Sequence, residues 1–88
     1  MTRKKIHVTA EDIANGVREA SKACPIALAL HRETGLDAIN VLSKWKSLTH
    51  PMMAYIDLPR SALIFMERFD EGMAVNPFNF FTDVPDAS

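Results

Sequence analysis

A chain of 88 residues, 48% of them hydrophobic, has material for one modest core and no room for a second domain. A net charge of −1 excludes a global field that would draw the protein to nucleic acid or to a membrane surface. A single cysteine excludes an internal disulfide framework and fits a reducing compartment, and no apolar run approaches the roughly 18 residues of a membrane span, so a soluble cytoplasmic protein without membrane association is expected.

In chain order, Met1–Lys5 is basic and leads into a polar strand, not into the apolar core of a signal peptide. Lys5–Thr9 predicts a short strand, with Ile6 and Val8 alternating with His7. Thr9 stands as a helix N-cap with Asp12 three residues on to close a capping box, and Val8 and Ile13 occupy the two staple positions. Asn15-Gly16 stops this first helix after about two turns. Val17–Lys22 reads equally as continued helix or polar connection. A second helix begins around Ser21–Pro25, because proline is tolerated only in a first turn. Ile26–Leu30 is apolar on every side, which places that helix at the centre of the fold; Gly35 ends it.

From Ala38 the period changes to two. Ile39, Val41 and Trp45 share one strand face, and Asn40, Lys44 and Lys46 the other, with Leu42 an exception. Ser47–Pro51 supplies a turn and Met52–Asp57 a returning strand, an antiparallel hairpin. Leu58-Pro59 opens a third helix, on which Leu58, Ala62, Phe65, Met66 and Phe69 form an apolar stripe as far as Gly72. Phe78–Thr82 predicts a last strand. Residues 1–4 and 83–88 are expected to fray. The whole is a single α+β domain, 1–88, in the order β-α-α-β-β-α-β. A four-stranded, mainly antiparallel sheet with the helices packed on one face is the economical arrangement.

Cys24, directly before Pro25, can be read three ways: a thiol made reactive by a helix N-terminus, a metal ligand, or a small buried hydrophobe. Its spacing from Ala20 and Leu28 favours the core. The nearest downstream histidine, His31, is two turns away, about 10 Å along a helix axis, too far to act as its base. His7, Cys24, His31 and His50 form none of the close pairs that zinc sites use, and there is no phosphate-binding glycine loop, G-x-S-x-G or H-E-x-x-H. An enzyme is not expected, nor any cofactor or metal.

Two binding surfaces suggest themselves. Ser43-Lys44-Trp45-Lys46 interleaves cations with an aromatic, but alternation sends Lys44 and Lys46 to one face and Trp45 to the other, whereas a single-strand-binding platform wants both on one side. Phe78, Phe80 and Phe81 cannot all face one core, so Phe81 points away from its neighbours, either covered or free to anchor a partner. Candidate partner-binding residues are therefore Lys44, Lys46 and Phe81, with the basic arm Arg3, Lys4 and Lys5.

The stretches V-T-A-E-D-I-A-N-G, C-P-I-A-L-A-L, L-P-R-S-A-L-I-F-M-E-R-F-D-E-G and N-P-F-N-F resemble a small family carried by bacteriophages and related mobile elements. The resemblance covers most of 8–30 and 57–81 and is most specific in C-P-I-A-L-A-L and F-D-E-G; Leu36–Ile56 matches only as a hydrophobic pattern. It supplies no catalytic residue. It implies a phage-encoded protein that binds a host protein or ribonucleoprotein defence complex and inhibits it sterically, in the manner of anti-CRISPR proteins. A nucleic-acid-associated accessory protein, with Lys44, Lys46 and the Arg3–Lys5 arm on phosphates, is the alternative.

Overall fold

The first strand is longer than its alternation of apolar residues suggests. In the computed structural model, which describes residues 2–85, β1 spans Thr2–Val8 and pairs antiparallel with the last strand, β5 (Phe78–Val84), in a register from Thr2↔Val84 to Val8↔Phe78. The expected fraying of residues 1–4 and 83–88 is thus wrong for residues 2–4 and 83–84: each end is the other's ladder partner, and cross-strand pairing offsets the cost of ordering them. Met1 and residues 86–88 lie outside the described residues.

Thr9 caps α1 (Ala10–Asn15) with the full capping box: the Asp12 N–H donates to Thr9 Oγ1 at 3.2 Å, and the Thr9 N–H to Asp12 Oδ2 at 2.9 Å. Val17–Ala23 is a run of turns, not helix, closed by the Val17 N–H donating to the Ala23 carbonyl at 2.8 Å. α2 (Pro25–Thr34) carries Pro25 in its first turn and ends at Gly35, whose φ of 73° is the left-handed C-cap conformation. It buries Ile26, Ala27, Ala29 and Leu30 and packs on β1, α1 and the next strand, so it is the central element that its all-round apolarity predicts.

The single strand expected over Ala38–Lys46 is two: β2 (Ile39–Val41) and β3 (Lys44–Ser47), paired through Val41↔Trp45. The chain turns at Leu42 and Ser43, where the Leu42 N–H donates to the Lys44 carbonyl at 2.8 Å. Because the two paired residues are an even number of positions apart, the turn leaves the parity intact. Ile39, Val41 and Trp45 still share the buried face, and Leu42 is exposed because it sits in the turn. The returning strand shrinks from Met52–Asp57 to β4 (Ile56–Asp57), paired with β3 through Lys44↔Asp57 and Trp45↔Ile56. Met53 instead folds inward, where its Sδ accepts the Ser47 N–H at 3.3 Å.

α3 (Arg60–Asp70) follows Pro59 and buries Ala62 and Phe65, with Met66 and Phe69 partly covered, as the stripe predicts. Phe65 meets Phe78 of β5 with ring centroids 4.6 Å apart. The domain is α+β with antiparallel sheets, but the expected four-stranded sheet is two sheets, β1-β5 and β2-β3-β4. β4 lies beside β5 without laddering to it. β4 is short and ends at Leu58-Pro59, and a proline has no N–H to extend a ladder with. Beneath the seam, fully buried Trp45 donates from Nε1 to Thr82 Oγ1 at 2.9 Å and ties the two sheets together.

Candidate binding face

Alternation along β1 sends Ile6 and Val8 into the core and Arg3, Lys5 and His7 outward. Alternation along β5 does the same for Phe80, Thr82 and Val84 against Asn79, Phe81 and Asp83. The register sets Lys5 opposite Phe81 and Arg3 opposite Asp83, so these residues share one outer face. The Phe81 ring is half exposed, with Arg3 Cζ 5.4 Å and Lys5 Nζ 6.0 Å from its centroid. Both cations interact with the ring's π cloud and are held beside it.

A polar cluster fixes the far end of β1. Arg32, near the end of α2, donates from Nη1 to Asp12 Oδ1, from Nη2 to Asp12 Oδ2 at 3.0 Å, and from Nη2 to the His7 carbonyl at 2.7 Å. Glu33 accepts the His7 N–H, and its Oε1 lies 2.8 Å from His7 Nδ1. Burial pushes the Asp12 carboxyl up, but the Arg32 guanidinium and the Thr9 cap more than offset this and hold it below its ordinary value of 3.8. Burial likewise opposes ionisation of Glu33, and His7 with Arg32 brings it below the ordinary range. His7 thus directs both its N–H and its carbonyl to α2 side chains, and two residues earlier Lys5 stands directly opposite Phe81 in the ladder.

A second cation–aromatic pair lies across the seam. Lys46 Nζ is 5.8 Å from the centroid of Tyr55, whose hydroxyl accepts from Asn40 Nδ2 at 2.9 Å. Lys44 pairs with Asp57 at 3.5 Å, and Asp57 in turn borders a groove of about 280 Å³ between β4 and the Arg3–Phe81 pair. Of the residues singled out from sequence, Arg3, Lys5 and Phe81 therefore come together, and Lys44 reaches the same groove through Asp57, whereas Lys46 lies beside Tyr55, outside the groove lining. Lys4 does not join them: it alternates to the Thr82 side of β1. Tyr55 is the residue that sequence reasoning missed as a binder. Its alternation with Ile56 was visible, but the bond from Asn40 that holds its hydroxyl depends on the unforeseen turn at Leu42.

Cys24 is the N-cap of α2, outside the helix that would have aligned it with Ala20. Its Sγ accepts the Ala27 N–H at 3.4 Å, and burial pushes the thiol above its ordinary 9.0, opposing the activation that a helix N-terminus offers. His31 instead places Nδ1 2.9 Å from the Leu36 carbonyl, and His50 buries an Nδ1 with no hydrogen-bond partner. Among the described residues no group of three or more His, Cys, Asp or Glu side chains could hold a metal, and no helix is long and apolar enough to cross a membrane. Comparison with protein-family models, curated proteins and solved structures returns no match to this chain. The phage resemblance accordingly stands on its quoted residues alone.

Proposed function

We propose that the protein is a non-enzymatic docking module whose working surface is the outer face of β1 and β5, and that it acts as a phage-encoded steric inhibitor of a host ribonucleoprotein defence complex. One observation carries the docking surface: Phe81 is held half exposed between Arg3 and Lys5 on a fully paired strand couple. An aromatic with large contact area and little rotamer freedom, rimmed by cations, has the make-up of an interface hot spot. Its preorganisation on a ladder lowers the ordering cost of binding. The phage context comes from the resemblance of C-P-I-A-L-A-L and F-D-E-G. No turnover is required: occupying the partner's nucleic-acid or subunit site is enough.

The test is affinity purification of tagged wild-type protein and of Phe81→Ala from bacterial cells that carry such defence systems, with recovered proteins identified by mass spectrometry. Recovery of subunits of one nucleic-acid-guided complex by the wild type, and their loss with Phe81→Ala, is expected. Recovery of no host protein, or equal recovery by both, would overturn the reading.

A further inference from the structure

We propose that the ligand recognised by this face is a single-stranded nucleic acid, laid across the seam between the two sheets and stacked on Phe81 at one end and Tyr55 at the other. The inference rests on the docking face proposed above and supplies the chemistry of its partner.

Single strands are held by cations that follow the backbone and by aromatic rings on which bases stack, on one and the same surface. Lys44-Trp45-Lys46 fails that requirement, since Trp45 is fully buried. The structure meets it elsewhere. Phe81 and Tyr55 are 50% and 42% exposed, each has a cation within 6.0 Å of its ring, and the groove beside Arg3 and Phe81 reaches Asp57, which pairs with Lys44. Arg3, Lys5 and Lys44 are exposed and Lys46 is half-buried, each alternating with the buried residues of its strand.

The acidic residues on the face also fit. Asp57 pairs with Lys44 at 3.5 Å, so a phosphate arriving at that cation displaces an exposed carboxylate. Exposed pairs of this kind contribute little and exchange readily. The overall charge of −1 then limits non-specific attraction to duplex DNA, and recognition depends on exposed bases as well as phosphates. A duplex keeps its bases stacked on one another and cannot use the two rings.

Fluorescence anisotropy with an oligothymidylate and an oligouridylate of about 20 nucleotides each, and with a duplex of equal length, tests this. Either single strand should bind better than the duplex, and the tighter arm tells which sugar the face prefers. With four phosphate contacts and a slope of about 0.7 per contact, affinity should fall about fifty-fold between about 50 and about 200 mM salt. Phe81→Ala and Tyr55→Ala should each weaken binding by about tenfold. Both rings are surface residues, and unchanged urea midpoints would show that the fold is intact. Absence of single-strand binding at low salt, equal binding of the duplex, or full affinity in either ring variant would overturn the proposal. If the oligonucleotides fail while Phe81-dependent recovery of a host complex persists, the ligand inference falls and the docking face stands. If both fail, the face itself is wrong.

Discussion

Trp45 on β3 and Thr82 on β5 share a buried hydrogen bond of 2.9 Å that joins the two sheets directly. Thr82→Val should leave the indole N–H unpaired and cost about 1–3 kcal/mol. Trp45→Phe should cost at least as much, through the lost contact volume and an orphaned hydroxyl. The double variant should fall short of the sum by about 0.5–3 kcal/mol. Urea unfolding followed by circular dichroism measures all three. Strict additivity would mean that the bond does not couple the sheets.

Asp12 predicts the acid limb of stability. Its folded-state pKa lies below its ordinary 3.8, so ionised Asp12 stabilises the fold at pH above that value. The contribution is lost as pH falls through the lower, folded-state pKa. Asp12→Asn should therefore be less stable than wild type at neutral pH, by about 1–3 kcal/mol, with the gap closing in strong acid. Denaturant midpoints of the two proteins from pH 7 down to about pH 2 test this. A gap independent of pH would place the loss in capping geometry, not in charge.

Cys24 should behave as a cap and not as a reagent. Its labelling by an aromatic disulfide should follow global unfolding, with native protein far slower than protein in denaturant, because burial raises the thiol pKa and blocks access. Cys24→Ser keeps an acceptor for the Ala27 N–H, whereas Cys24→Ala removes it and should cost about 0.5–2 kcal/mol. Fast labelling of the native state would restore the reactive-thiol reading.

Gly16 and Gly35 should both resist alanine, for different reasons. At Gly35 there is free space, but φ is +73°, so the cost is backbone strain of about 1–2 kcal/mol. At Gly16 φ is an ordinary −69°, but a Cβ would come within 2.6 Å of the Pro25 ring, a packing clash of about 1–3 kcal/mol. Gly35→Asn should recover part of the loss, since asparagine tolerates the left-handed region; Gly16→Asn should not. Thermal melts distinguish the two.

What could be read from the sequence was local. The Thr9–Asp12 box, Pro25 in the first turn of α2, Gly35 and the Leu58–Phe69 stripe each depend on residues within a few positions of one another, and each stands in the fold where the pattern puts it. The burial of Trp45 and the outward turn of Phe81 followed from alternation alone. The turn at Leu42-Ser43 was hidden because it lacks the Gly, Asn or Asp that marks a tight hairpin turn and preserves parity. The Asp12–Arg32 pair and the Arg3–Phe81 contact join residues far apart in the chain, and no spacing rule reaches across such distances. The candidate face was therefore legible as a set of residues but not as an arrangement.

The pairing of β1 with β5 governs when, as well as where, that face exists. Thr2 meets Val84 and Lys5 meets Phe81, contacts that span nearly the whole described chain. Loop closure on that scale carries the largest entropic cost of any pairing in the fold, so it is favoured only after the helices and the β2–β3 hairpin have shortened the path. During synthesis, the helix bearing Cys-Pro-Ile-Ala-Leu-Ala-Leu can form long before Phe81 has been made. Arg3 and Lys5 wait as an unpaired basic segment until the final strand arrives. The proposed docking face is thus a late product of folding, and a chain interrupted before β5 would have most of its core residues and none of its Phe81 platform.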